Sequence, residues 1–162
     1  MQKRRGISPV IATVIIVAVT IAVAIAVAFW MTGIVGLFTS AEKLEIVSIN
    51  AAPAAGGNGW TITVIVRNTG TTATSIDSIY INGYLAFTTV TDARALDCVD
   101  DLNPSLPVQL VPGDQAIITF HIEQGQCRLG DGPVFNAVAG GSIEVKLHSS
   151  GGKEYPKLVV LP

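Results

Sequence analysis

Charge is scarce in this chain. Charged residues make up 14% of the 162, against about 25% in an ordinary soluble domain. The deficit is concentrated: from Gly6 to Ala41 there is no ionisable side chain at all. Only one stretch is long and apolar enough to span a bilayer, which excludes a multi-span channel or transporter. No Lys/Arg-rich tract follows residue 5 and the net charge is −2, which argues against a nucleic-acid groove. Histidine occurs twice, at His121 and His148, and cysteine twice, at Cys98 and Cys127. Two lone histidines without a third ligand at metal spacing read as surface residues. Met1 and Met31 both lie outside the C-terminal domain, so a blue-copper set is incomplete. Neither cysteine stands in a CxxC or beside a histidine, which leaves redox catalysis unsupported. Gly-x-Ser-x-Gly, a P-loop and His-Glu-x-x-His are all missing. None of the asparagines opens an Asn-x-Ser/Thr sequon. No enzyme and no cofactor is expected.

What is present begins with Lys3, Arg4 and Arg5, followed by Gly6 and an uncharged run from Ile7 to Phe38. As a helix at about 1.5 Å per residue this run is roughly 50 Å long, whereas a bilayer core is about 30 Å thick. Membrane crossing alone does not account for the length, so part of the helix must be buried against protein in some state. Ser8 fits an N-cap and Pro9 the first helical position. No polar stripe runs along the helix, so it is covered by lipid or protein on every side. Small residues recur every fourth position, with Ala18, Ala22 and Ala26 on one ridge and Ala24, Ala28, Thr32 and Gly36 on another. Such ridges allow helix backbones to approach closely. Gly33 and Gly36 favour a bend or local unwinding near the end.

A cleaved secretory signal fits poorly, because the apolar run is about twice the usual h-region and lacks a polar cleavage region. A plain single-pass anchor fits the composition, with the basic residues holding the N-terminus in the cytoplasm. A third reading comes from resemblance. Lys3-Arg4-Arg5-Gly6-Ile7-Ser8-Pro9-Val10-Ile11-Ala12-Thr13 resembles the leader and helix start of archaeal type IV pilins and archaellins, over roughly residues 3 to 36. Ile11 stands where the bacterial branch usually carries Glu, which matches the archaeal branch. The resemblance implies that a prepilin peptidase cuts after Gly6 at the cytoplasmic face, with Ile7 as the new first residue and Arg4 and Arg5 as the basic pair before the cut. It further implies an assembly ATPase and a membrane platform as partners, and other copies of the same chain in a helical homopolymer. The precursor would sit in the cytoplasmic membrane, and the mature chain in an extracellular filament used for surface adhesion. No specific nucleic-acid partner is implied.

The expected organisation is a leader (residues 1–6), a hydrophobic helix (7–40) and a head domain (41–162). In the head the period changes to two. Leu44, Ile46 and Ile49 start one strand. Trp60, Ile62, Val64 and Val66 alternate with Thr61, Thr63, Ile65 and Arg67 in the next. Ile76, Ile79 and Ile81 lead to Asn82-Gly83, a two-residue hairpin signal, and Tyr84 to Val90 returns. Val108 to Val111, then Ile118-Phe120-Ile122, Ile143-Val145-Leu147 and Tyr155 to Leu161 complete seven or eight strands. That spacing predicts an α+β chain, a long helix followed by an all-β immunoglobulin-like sandwich. Gly56-Gly57-Asn58-Gly59 reads as a turn, since no helix follows it to make a phosphate cradle.

Two cysteines in an extracellular domain predict a Cys98–Cys127 disulfide that ties the long 91–107 connection to the segment after the Phe120 strand. Two separate buried thiols are the alternative. Asp92, Asp97, Asp100, Asp101 and Asn103 form an oxygen-rich loop whose spacing is not that of an EF-hand, and a solvated acidic loop is the plainer reading. Removal of the leader leaves seven Lys/Arg against twelve Asp/Glu, net −5, so contacts between heads are expected to be apolar or polar. Outward-facing Ile65 is a candidate for one. The leading expectation is a major structural subunit of a pilus. The alternatives are a membrane-anchored surface binding module that never polymerises, and an archaellin of a motility filament.

Overall fold

The computed structural model describes residues 9–89, 98–130 and 132–162, with 37–39 described by their backbone alone. The chain divides into two compact units, Met1–Ser40 and Ala41–Pro162.

The first unit is one helix, α1, over Pro9–Thr39. It contains Pro only at its first described position, where the missing N–H costs no hydrogen bond. Helical structure continues through Gly33 and Gly36, so the local unwinding expected at these glycines is not seen. About 1 kcal/mol per glycine is too little to break a run of hydrogen bonds already formed on both sides. Ser8, the expected cap, lies outside the described residues.

The second unit is a β-sandwich. Its strands are β1 (Leu44–Pro53), β2 (Trp60–Asn68), β3 (Thr74–Ile81), β4 (Tyr84–Thr88), β5 (Val99–Asn103), β6 (Val108–Leu110), β7 (Gln115–Ile122), β8 (Gly125–Cys127), β9 (Phe135–Ala137), β10 (Ser142–Ser149) and β11 (Glu154–Val160). One sheet runs β1-β2-β7-β5. The other runs β11-β10-β3-β4, with β6 pairing the first residues of β3; β8 and β9 pair with each other. All pairings are antiparallel. The expected α+β architecture is thus present, with more strands than the seven or eight expected. The connection over 91–107 contains β5, and β8 and β9 are additional.

Alternation builds the core. Ile62, Val64 and Val66 of β2 and Ile118, Phe120 and Ile122 of β7 point inward from one sheet; Ile76, Ile79, Ile81, Ile143, Val145 and Leu147 meet them from the other. Each such side chain contributes about 1.5–3 kcal/mol by leaving water. Phe87 and Phe120 bridge the sheets with tilted rings whose centroids lie 5.6 Å apart. At the β3–β4 hairpin Asn82 (φ 50°) and Gly83 (φ 82°) both occupy the left-handed region. Asn-Gly is the pair that tolerates this, and the Asn82 side chain accepts from the Glu144 amide at 2.9 Å. Pro156 sits in β11, an edge strand, where a missing donor is harmless.

The head holds its own first residues firmly. Lys43 O accepts from the Thr69 and Gly70 amides at 2.8 and 3.0 Å, and Ala41 exchanges bonds with Thr71. Lys153 Nζ donates to Glu42 O at 2.6 Å, and Thr74 Oγ1 to the Glu42 carboxylate at 2.9 Å. That carboxylate occupies the space a side chain on Gly151 would fill. Fully buried Asn68 anchors the loop beside it, donating to Thr72 O and Leu110 O and accepting from the Gly70 amide.

Candidate functional site: an uncharged helix and the outer face of the head

The helix is the chain's most unusual chemical feature. It carries no acidic residue in its first turn and no basic residue in its last. Its large side chains from Val10 to Val35 are exposed, apart from half-buried Ile34. Among the described residues its hydroxyls are satisfied internally: Thr13 Oγ1 donates to Val10 O and Thr20 Oγ1 to Val17 O, both at 2.8 Å. Thr32 Oγ1 is shared between Ala28 O and Phe29 O at 3.0 Å. Back-bonding of this kind removes the cost of placing a hydroxyl among hydrocarbon. The helix therefore presents an apolar surface to lipid or to protein alike. Ala18, Ala22 and Ala26, and Ala24, Ala28, Thr32 and Gly36, all fall within the unbroken helix, so each ridge follows the i, i+4 row of its surface. Phe29 and Trp30 stand 75% and 66% exposed. Twenty residues, about 30 Å of helix, separate Phe29 from Pro9.

Arg4, Arg5, Gly6 and Ile7, expected to form the leader cleavage site, lie outside the described residues.

In the head, the outward face of the β1-β2-β7-β5 sheet carries little charge. Thr63 pairs with Thr119 and Ile65 with Ile117 across β2 and β7. Ile65 is half-buried while Ile117 is 54% exposed, so the apolar element on this face is a cross-strand pair and not Ile65 alone. Charges sit at the ends, with Glu45 opposite Arg67 at one and Asp100 opposite His121 at the other.

Both histidines do face outward, yet both are engaged. His148 Nδ1 lies 2.7 Å from Asp77 Oδ1. His121 Nδ1 lies 2.8 Å from Asp100 Oδ1, and its Nε2 lies 2.8 Å from Asn58 O. Partial burial works against a charge on His121. The hydrogen bonds to Asp100 and Asn58, with the charges of Asp100 and Glu123, outweigh it and hold the imidazole above its ordinary 6.5. Sequence reading missed these partners because they are 21 and 63 positions away.

Of the acidic loop, Asp92 and Asp97 lie outside the described residues. Asp100 and Asp101 belong to β5 and are exposed. Among the described residues no three His, Cys, Asp or Glu side chains gather where a metal ion could be held. Cys98 and Cys127 are joined, their Cα atoms 5.3 Å apart and both residues buried. The bridge connects the start of β5 to β8, and the Cys98 carbonyl also accepts from the Glu123 amide at 2.9 Å.

No family model matches the chain, and no curated protein matches it. Among solved structures, the archaeal flagellum of Methanospirillum hungatei strain JF1 aligns with a TM-score of 0.47 and 19% identity, covering 94% of this chain and 88% of that one. The apo PCuAC domain from PmoF1 aligns with a TM-score of 0.45 and 13% identity, covering 75% of this chain and 98% of that domain. At such values neither likeness bears on what this chain does.

Proposed function

We propose that this chain is a non-enzymatic structural subunit of an extracellular filament, assembled through its N-terminal helix, with the β-sandwich outside the helical core. One observation carries the reading: the helix is uncharged and apolar over a length that no bilayer covers. Its 31 residues extend about 46 Å, against about 30 Å of hydrocarbon. Burying all of it in lipid requires a tilt of about 49°, beyond the 0–40° that membrane helices show. With Pro9 at the inner boundary, Phe29 and Trp30 fall at the outer interface, where aromatic rings are favoured. Met31, Ile34 and Val35 then lie beyond the hydrocarbon, still apolar.

Helix-on-helix packing along the alanine ridges covers that surface. The two environments are consecutive: lipid while the precursor waits in the cytoplasmic membrane, other copies of the helix after assembly. Leader removal after Gly6 takes away Lys3, Arg4 and Arg5, the charges that hold the N-terminus inside, and so eases extraction. The finer assignments rest on the resemblance of residues 3 to 36. These are an archaeal pilus used for adhesion, with the prepilin peptidase, assembly ATPase and membrane platform as partners. An archaellin of a motility filament shares the same helix. A surface binding module that stays anchored is the remaining alternative, with the same helix kept in lipid.

Immunogold electron microscopy with antibody to the head tests the proposal on native cells. Label spaced along thin filaments is the expected result. Label confined to the cell envelope, with no filament decorated, rejects polymerisation and leaves the anchored module.

A further inference from the structure

We propose that His121 is a pH-operated clasp, which as imidazolium ties the 54–59 loop to strand β5 across one end of the β1-β2-β7-β5 sheet and on losing its proton lets the loop go. Two oxygens face the ring, Asp100 Oδ1 at Nδ1 and the Asn58 carbonyl at Nε2, both at 2.8 Å. Neither can donate if Asp100 is ionised, so both bonds form only when each ring nitrogen carries a hydrogen. A neutral imidazole has one. The bond to a carboxylate is the stronger of the two, so the remaining hydrogen stays on Nδ1. The proton leaves Nε2 for solvent, and its lone pair then faces the Asn58 oxygen.

The surroundings agree with this assignment. β5 contributes Asp100; the segment after β7 contributes Glu123; β2 opposes the ring with uncharged Thr61. Arg67 is at the far end of β2, opposite Gln115. The charged groups facing the ring from these elements are therefore acidic. The pairing of β5 with β7 shifts register between Asp100 and Asn103, and Asp101 adopts φ 54° there. Asp100 itself stands directly opposite His121 in the register, just before this irregularity, and its carboxylate reaches the ring. The loop itself closes with bonds from the Ala54 amide to Gly59 O and from the Gly57 amide to Ala54 O. Gly59 lies against the backbone of Ile122 with no room for a side chain, which seats the base of the loop on the strand that carries His121.

The sign follows from linkage. A histidine raised above 6.5 in the folded chain adds stability that is fully present below that value and is lost as pH rises through the folded value. The loop is held below 6.5 and released as pH rises through the folded value above it. This device is independent of whether the chain polymerises.

The test is NMR on the full chain in detergent micelles, with histidine ring signals assigned by comparing wild type, His121→Gln and His148→Gln. The His121 ring is expected to titrate above 6.5. Protection of the Ala54 and Gly57 amides, corrected for intrinsic exchange, is expected to fall several-fold across that titration. His121→Gln removes the pH dependence. Asp100→Asn, which keeps an acceptor oxygen but no charge, moves the transition to lower pH while leaving the sandwich folded. A His121 midpoint at or below 6.5, or amide protection that does not change through the transition, overturns the proposal.

Discussion

Replacing Ala22 by Asp is expected to cut the yield of sheared, pelletable filaments at least tenfold while the protein still accumulates in the membrane. Ala22 lies in the middle of the helix, on the ridge it shares with Ala18 and Ala26. A single Asp there costs about 2.5–3.5 kcal/mol on insertion, which thirty other uncharged residues offset. In a filament core the cost is larger and recurs at every subunit. Each copy buries a carboxylate beside like carboxylates, and an unpaired charge in such a setting is penalised by several kcal/mol. At about 1.4 kcal/mol per tenfold, even the lower figure suffices for the expected loss. Ala22→Leu separates charge from shape: it leaves insertion intact, and the lost close approach still lowers yield, by less than Asp does. Normal filament yield from Ala22→Asp contradicts packing through the helix.

The second large effect is in the head. Replacing Cys98 and Cys127 together by Ala is expected to lower stability by about 3–4 kcal/mol, from the entropy returned to an unfolded loop whose ends are 29 positions apart. For a domain of this size that corresponds to about 10–15 °C in melting temperature. Alanine is preferred to serine because both sites are buried and a hydroxyl there needs a partner. Circular dichroism melts of the full chain in detergent read the change directly. The two-sheet core does not depend on the bridge for its packing, so the fold is expected to persist at room temperature. A shift below about 3 °C shows that neighbouring packing holds β5 without the bridge.

The helix and the main strands were readable in the residues because their physical signal is local. Thirty uncharged positions allow few other structures, and Ile62-Val64-Val66 or Ile143-Val145-Leu147 state their own period. Even the irregularities left a trace. Ile46 to Ile49 and Ile76 to Ile79 are spaced by three, and the β1 and β3 pairings shift register there, between Ile46 and Ser48 and opposite the His148–Ser149 step of β10. A bulge restores the inward direction. Strand β5 was hidden because Val99-Asp100-Asp101-Leu102-Asn103 has the composition of a loop; its conformation comes from pairing with β7 and from the bridge at Cys98. Strands β8 and β9 have three residues each, too few to show a period. The His121 clasp depends on partners distant in sequence, and so does the seat for Glu42 against Gly151. No pattern within a window of residues contains either.

The central claim is that the helix leaves the membrane and enters a polymer after its basic leader is removed. Intact mass and N-terminal sequencing of protein sheared from native cells tests it most directly. The expected result is a chain beginning at Ile7, about 2 Da light for one disulfide, in an extracellular fraction that sediments. A chain beginning at Met1 and recovered only with membranes contradicts the account.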